Sequence, residues 1–479
     1  MSIKSLLEVF IDRVPGETRL ALTENGQLKD LVIMGDTNKS LIGNIYFARV
    51  EKISAGMNAA FVDIGVGVSA FLAANDGQIF DSTNEKPKLI NKLYKEGDNV
   101  LVQVTRDGSD HKGAKLTTRI NLVGRLVIVT LGRLGISISK RIPDKVVCGR
   151  IKNSIQNLEN STMGLIIRTN AQFVSSSDLQ KEAKNLSDQM FDIVSESSKI
   201  KSPTCIFQQS DQILNFLRDF GCKNWNRIII SDRSLLNKIK KYILGNIPEL
   251  IGKLELAHDP NALFENHELE QQISGLFEPI ISLPSGGRLI IEETEALVAV
   301  DVDSGKFNRD SNPEMFAVSI NEEAVIEFAR QLILRNLTGQ IVIDFLPMKQ
   351  KKNRNYIKNI LSNLLVDVKN CNIYGFSRLG LLEMNRQRLE ESLLSRFRKR
   401  EGGNRTVNVI IVDMIRVVLR EIHHNPGRRF KIVCSHTIYS YLKGDMSTIW
   451  AELIARTGPV ISVEIFSNSP QGHFELTII

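Results

Sequence analysis

Two apolar runs that end in aspartate decide the fold: ALVAVDVDS at residues 296–304 and QIVIDF at 340–345. Val298-Ala299-Val300 leads into Asp301, and Ile341-Val342-Ile343 leads into Asp344. Between them a helical pattern runs from about Asn321 to Leu337. Its Ala324, Val325, Phe328, Ala329, Leu332 and Ile333 recur at three and four residues and so share one face. Ser319 with Glu322 has the form of a capping box, and Gly339 stands past the end as a C-cap. Strand, helix, strand makes a βαβ unit, whose strands run parallel. Both carboxylates then emerge at one carboxyl edge, where open α/β sheets place their ligands. Adjacent carboxylates repel when ionised, so a divalent cation is the natural partner. Mg²⁺ accepts one or two carboxylates and keeps its other positions for water and phosphate. Asp303 points to the same side if the extended backbone continues, as a third candidate ligand. The plainer alternative stays open: an aspartate at a strand end caps the turn that follows.

Working outward, GRLIIEE (287–293) reads as a further strand of this α/β unit, with Lys349, Lys351, Lys352 and Arg354 just beyond Asp344. Residues from about 40 to 120 form five short alternating or apolar runs, GNIYFARVEKI, NAAFVDIG, SAFLAAN, NVLVQVTRD and AKLTTRINL, parted by Gly, Asn and Asp. Five strands in so short a stretch predict a small closed barrel of the OB type. RLVIVT, LGISISK and MGLIIRT continue in strand rhythm to about 170, and 178–202 is polar and helical. The stretch 203–285 mixes the strand NRIIIS with helices such as SLLNKIKKYIL. The tail from about 405 has a helical run, an Asn425-Pro426-Gly427 turn, the strand FKIVCS, a helix and a final strand VISVEIF. The fold class is a multidomain α/β protein with an inserted β-barrel.

At 479 residues the chain is too long for one core. Its 42% hydrophobic and 24% charged content excludes a disordered chain. The net charge of +7 suits a polyanionic partner but is shared by many solvated surfaces. Cys148, Cys205, Cys222, Cys371 and Cys434 are odd in number, dispersed and without a CxxC, which argues against a disulfide framework and suits a reducing cytosol. The N-terminus has no signal-peptide core. VNVIIVDMIRVVL (407–419), interrupted by Asp413 and Arg416, is too short to span a bilayer. A cytoplasmic protein without a membrane span is expected.

The stretches LPSGGRLIIEETEALVAVDVDSG (283–305), ARQLILRNLTGQIVIDFLPM (329–348) and GFSRLGLLEMNRQR (375–388) closely resemble the catalytic segments of the ribonuclease E/G family. NAAFVDIG (58–65), HKGAKLTTRINLVG (111–124) and GLIIRT (164–169) resemble other family segments in the family's order. The length resembles the shorter, ribonuclease G-like branch, which lacks a long tail. The resemblance implies an RNase H-like region (1–39 and 206–280) interrupted by an S1 RNA-binding barrel (40–120) and a 5′-sensor (121–205). A DNase I-like catalytic region (281–400) and a small C-terminal α/β domain (405–479) follow. It implies Mg²⁺ on Asp301 and Asp344, with Mn²⁺ as a possible substitute. Where this chain has Asp303 the family commonly has asparagine. The implied activity is internal hydrolysis of single-stranded RNA that leaves 5′-phosphate and 3′-hydroxyl ends, in ribosomal RNA maturation and messenger RNA turnover. A non-catalytic RNA-binding protein and a deoxyribonuclease are the competing readings.

By the same resemblance Phe61 and Phe71 bind RNA, where the alternative is ordinary barrel core. Lys112 lies near the RNA, where the alternative is an exposed turn lysine. Arg168 and Thr169 grip a 5′-monophosphate, chemistry that suits a guanidinium fork and a hydroxyl. Arg378 reaches the phosphate in the catalytic region. The run Arg396 to Arg400 either follows the RNA backbone or is solvated surface. One departure matters. The family usually carries a CPxC pair after RQR, which binds zinc jointly between two subunits. Here EESLLSRFRKREGG (390–403) has no cysteine. Without thiolates the tetrahedral site cannot form, so no structural zinc is expected and a homo-oligomer must rest on other contacts.

Overall fold

The structure, a computed structural model, describes residues 5–36, 40–77, 89–108, 112–132, 134–156, 162–209, 211–221, 225–305, 313–366, 368, 370–387, 392–397, 407–466 and 472–479. The chain forms two compact units. One comprises 1–38, 222–244 and 248–479, and the other 39–221 and 245–247. The first unit is therefore discontinuous in sequence, with the second inserted into it.

In the first unit Leu7–Val14, Glu17–Glu24 and Gln27–Gly35 form an antiparallel meander. Arg227–Ile230 joins its edge in parallel, and Leu254–Leu256 lies beyond it. The aspartates lie on a separate six-stranded sheet. Its order is Ile280–Ser282, Arg288–Glu293, Val298–Asp303, Gly339–Asp344, Leu382–Arg386 and Cys371–Phe376. Its central pair, Val298–Asp303 with Gly339–Asp344, runs parallel, as the βαβ reading requires. Leu289, Ile291, Val300, Val302, Ile341, Ile343, Leu382 and Met384 are buried on one face. The helices Pro313–Leu334 and Lys351–Leu364 cover that face through Ala324, Val325, Phe328, Leu332, Ile357 and Leu361. A one-residue slip would turn Val300 and Ile343 outward and drive both aspartates into the core. Each buried aliphatic side chain contributes roughly 1.5–3 kcal/mol. Packing of the covered face therefore fixes the direction of the carboxylates on the other.

The connecting helix corrects two local expectations. It begins at Pro313 rather than near Asn321, and Ser319 is an exposed residue inside it, so there is no capping box. Proline suits the first helical position because its missing N–H would be unpaired there anyway. At the other end the left-handed residue that closes the helix is Asn336 (φ 49°), three residues ahead of Gly339, which also has positive φ (94°). The Asn336 N–H donates to the Ile333 carbonyl at 3.1 Å and that of Leu337 to Leu332 at 3.0 Å, a paired closure that ends the helix. Gly339 opens the next strand.

The C-terminal part of this unit packs the helices Val407–His424, His436–Lys443 and Ser447–Thr457 with a three-stranded sheet. VISVEIF supplies Ile461–Ile465, but it is not the last strand: Phe474–Ile478 follows and pairs antiparallel with Phe430–Cys434. Among the described residues no helix is long and apolar enough to cross a membrane.

In the second unit Ile45–Ser54, Ala59–Asp63, Ala70–Ala73, Lys115–Thr117 and Asn99–Arg106 pair in a ring. The first strand bonds both the second and the last, so the barrel is closed. Ala48, Val50, Ala60, Val62, Leu72, Val102 and Leu116 fill it. This is the five-stranded OB-type barrel that the alternation predicts. A four-stranded sheet follows, ordered Ile136–Ile138, Met163–Ile167, Val127–Leu131 and Asn121–Val123. The helices Lys145–Ile155 and Ser176–Ser197 contribute Ile151, Ile155, Leu179, Ala183 and Met190 to its core.

Candidate functional site

Asp301 and Asp344 are register partners on the parallel strand pair. Their Cα atoms are thus one strand spacing apart, about 4.8 Å. Both side chains are exposed, between buried Val300 and Val302 on one strand and Ile343 and Phe345 on the other. They share one hollow of about 270 Å³, floored by Ile290, Ala299, Val342 and Leu381 and flanked by Glu292. Among the described residues no cationic side chain pairs with either carboxylate. Two unneutralised carboxylates side by side over an apolar floor fit a hard divalent cation such as Mg²⁺, which needs carboxylate oxygens and leaves its remaining positions open.

Asp303 is held differently. Its carboxylate pairs with Arg288, which faces it across the neighbouring strand, and accepts the Gly305 N–H at 3.0 Å. The Gly305 N–H and the Arg288 guanidinium hold it below the usual carboxylate range. Among the described residues no three His, Cys, Asp or Glu side chains gather to hold an ion. Asp303 is thus engaged by Arg288 and the Gly305 N–H, whereas Asp301 and Asp344 have no such partners among the described residues. Asp303 performs the turn-capping role that was the plainer alternative for the strand-end aspartates. Gly305 has φ 65°, and a Cβ on it would lie 2.4 Å from the Gly286 carbonyl oxygen, so this turn requires glycine.

Arg378 lies in the tight turn between Cys371–Phe376 and Leu382–Arg386, closed by the Ser377 N–H on the Leu381 carbonyl at 2.8 Å. Leu382 pairs with Ile343, and Leu381 lines the hollow, so the turn lies at the Asp344 end of the site. Arg378 is exposed, and among the described residues no carboxylate pairs with it. Lys349, Lys351 and Lys352 are solvated around the start of Lys351–Leu364. Arg354 donates to the Met348 carbonyl at 2.8 Å, which ties it to the local backbone. Of the run Arg396 to Arg400, residues 398–400 lie outside the described residues.

On the barrel, Phe61 and Phe71 are direct cross-strand partners. Their rings stand edge to face, 6.1 Å between centroids, and are half-exposed, while Ala60, Val62, Ala70 and Leu72 beside them point inward. They are not part of the barrel core. Lys112 is exposed next to Gly113, which lies so close to the strand carrying Phe71 that a Cβ would come within 1.9 Å of the Ser69 carbonyl oxygen. The Ala114 carbonyl accepts the Phe71 N–H at 2.7 Å. The missing side chain at 113 thus places Lys112 at the same edge as the aromatic pair.

Arg168 ends Met163–Ile167 in extended conformation, and Thr169 opens a short 3₁₀ turn. Arg168 Nη1 donates to the Gly124 carbonyl at 2.6 Å, and Nη2 lies 2.7 Å from Asp219 Oδ1. Thr169 Oγ1 is 3.2 Å from Ser139 Oγ. Neither Ser139 nor Asp219 stands out in the sequence. Ser139 could have been suspected from its place in the polar–apolar alternation of LGISISK, whereas nothing around Asp219 in the sequence points to Arg168.

A discontinuous α/β unit that presents paired carboxylates, with an OB-type barrel in the inserted unit, defines the class structurally. Residues 121–389 match the Ribonuclease E/G family. Ribonuclease G of Salmonella typhimurium (strain SL1344) is 31% identical over 98% of this chain and 99% of its own length. Ribonuclease G of Haemophilus influenzae is 31% identical over 92% and 93%. Ribonuclease E of Haemophilus influenzae is 33% identical over 79% of this chain but 41% of its own length. The chain belongs to the ribonuclease E/G family and aligns end to end with ribonuclease G proteins.

Proposed function

We propose that the protein is a Mg²⁺-dependent endoribonuclease that cuts single-stranded RNA internally and leaves 5′-phosphate and 3′-hydroxyl ends. The side-by-side placement of Asp301 and Asp344 over one hollow carries this reading, together with the names of the full-length relatives. In this reading 1–39 and 206–280 are RNase H-like, 40–120 is the S1 barrel, 121–205 the 5′-sensor, 281–400 the DNase I-like catalytic region and 405–479 the small C-terminal domain. Bound at the two aspartates, Mg²⁺ supplies Lewis-acid polarisation of the scissile phosphate and lowers the pKa of the attacking water. Arg378, free of any described carboxylate, contacts the phosphate. The half-exposed rings of Phe61 and Phe71 stack unpaired bases, and Lys112 holds the backbone beside them. Arg168 and Thr169 bind a 5′-monophosphate. Ribosomal RNA maturation and messenger RNA turnover in the cytoplasm are the proposed settings, with a homo-oligomer held without zinc.

The test is a labelled single-stranded RNA, with a DNA of the same sequence beside it, incubated with Mg²⁺ and then with excess EDTA. Internal RNA cuts with 5′-phosphate ends, abolished by EDTA, are expected. Tight RNA binding with no cutting would leave the non-catalytic reading standing, and equal cutting of the DNA would identify a sugar-blind nuclease. Phe61→Ala and Phe71→Ala should each weaken RNA binding by about 5- to 150-fold, from roughly 1–3 kcal/mol per stacked base. Unaltered affinity in both variants, read by fluorescence anisotropy, would return the rings to a structural role.

A further inference from the structure

Arg168 is already clamped before any ligand arrives. The Gly124 carbonyl takes one guanidinium N–H at 2.6 Å, and Asp219 Oδ1 lies 2.7 Å from Nη2 on another side. The arginine side chain is 17% exposed, which leaves it an opening but little freedom. A guanidinium carries five N–H donors, so two bonds among the described residues leave donors for a further acceptor. The carbonyl side of the clamp is itself fixed. A Cβ at Gly124 would lie 2.1 Å from Glu182 Oε1 and 2.7 Å from Leu186 Cδ1. That same Glu182 oxygen accepts the N–H groups of Leu126 at 2.7 Å and Val127 at 3.3 Å.

The carboxylate side is fixed by Arg218. Its Nε and Nη2 grip the two oxygens of Asp219, each at 3.1 Å, and its Nη1 donates to the Val123 carbonyl at 3.1 Å. Burial pushes the Asp219 carboxyl up, but Arg218 and Arg168 outweigh it and hold the group below its ordinary value. One negative charge is therefore divided between two guanidinium groups, and these three groups sum to a positive charge, while the nearby Glu182 carboxylate is set against Arg125 as well as Arg168. A lone Asp219 would cancel Arg168 and repel a phosphate. With Arg218 absorbing much of that charge, the carboxylate orients Arg168 without disarming it.

We propose that Asp219, backed by Arg218, is the positioning residue that presents Arg168 to the terminal phosphate of the RNA and so sets preference for a 5′-monophosphate. This rests on the reading of Arg168 as the monophosphate contact. Preorganisation removes the ordering cost that a free arginine would add to binding. Asn at 219 keeps the size but loses the charge and the two-pronged grip of Arg218.

The experiment compares kcat/KM on 5′-monophosphate and 5′-hydroxyl versions of one RNA, for the wild type and for Arg168→Ala, Asp219→Asn, Asp219→Glu and Arg218→Met. Asp219→Asn should lower the monophosphate preference by about tenfold to a hundredfold, chiefly through KM on the monophosphorylated RNA, with partial recovery in Asp219→Glu. Arg218→Met should also lower it, because the carboxylate then bears on Arg168 alone. A ratio that rises in Asp219→Asn would make the carboxylate a competitor of the phosphate and overturn the proposal. So would an unaltered ratio in both Asp219→Asn and Arg218→Met while Arg168→Ala abolishes the preference. A wild type with no preference, unaffected by Arg168→Ala, would instead remove the underlying reading of the pocket and the proposal with it.

Discussion

Asp301→Asn and Asp344→Asn are each expected to cut kcat on single-stranded RNA by about a thousandfold or more, roughly 4 kcal/mol of transition-state stabilisation. RNA affinity should change little, because the barrel surface is untouched. Asparagine keeps the shape and one oxygen but removes the charge that recruits a hard cation. The two carboxylates face one hollow as register partners, so on the proposed shared-ion reading both variants lose the same ion. The double variant should then fall scarcely below either single one, since groups that act as a unit are non-additive. Raised Mg²⁺ should rescue the single variants in part. Asp303→Asn is the contrast. It retains an acceptor for the Gly305 N–H and should lose far less activity. Initial rates across a Mg²⁺ titration decide the matter. If Asp301→Asn and Asp344→Asn lower the rate multiplicatively, with unaltered Mg²⁺ dependence, the shared-ion reading fails.

The pairing of Asp301 with Asp344 was legible because each rule involved is local: apolar runs of strand length, an amphipathic helix between them, and the parallel direction the crossover imposes. The barrel was legible for a similar reason, since period-two alternation survives in short strands. The partners of Asp303 were not. Its place two residues after Asp301 is a sequence fact, but its pairing with Arg288 depends on the register of an antiparallel neighbour. The helix start is harder to read, because the apolar repeat is clearest only from Ala324 onward while the helix already runs from Pro313. Phe474–Ile478 is likewise hard to read as a strand from FELTI alone, although it alternates. Its backbone bonds lie to Phe430–Cys434, some forty residues earlier by the register. Arg168 is the sharper case. GLIIRT marks the residue through family resemblance, while the groups that orient it, Gly124 and Asp219, come from other segments and converge only in the folded chain.

Arg416→Met is expected to destabilise the first unit by about 3–5 kcal/mol, the scale for breaking a buried ion pair by removing one partner. Arg416, on the helix Val407–His424, pairs with Asp12 and lies 3.0 Å from Glu17 through Nη2. Arg19 meets the same Glu17 oxygen at 2.6 Å and reaches Glu270 at 3.2 Å and Asp413 at 3.5 Å. The network thus fastens the helix Val407–His424 to the first two strands, and Arg416 is 399 residues from Glu17 in sequence. Burial pushes the Glu17 carboxyl up, but Arg19 and Arg416 more than offset it, so its folded value lies below the ordinary 4.5. A depressed carboxylate contributes stability that is complete above its unfolded value and is lost as pH falls through its folded value. In Arg416→Met one cation is gone, burial is less opposed, and Glu17 takes up its proton at higher pH. The deficit against the wild type should therefore be largest near pH 7 and shrink as the pH falls below about 5. Adding Glu17→Gln should recover part of it at neutral pH, because the charge left under-compensated is then removed. Urea midpoints followed by circular dichroism at pH 7.5 and pH 4.5 test both statements. A midpoint for Arg416→Met equal to the wild type's at neutral pH would mean that apolar packing alone holds the helix Val407–His424 to the sheet.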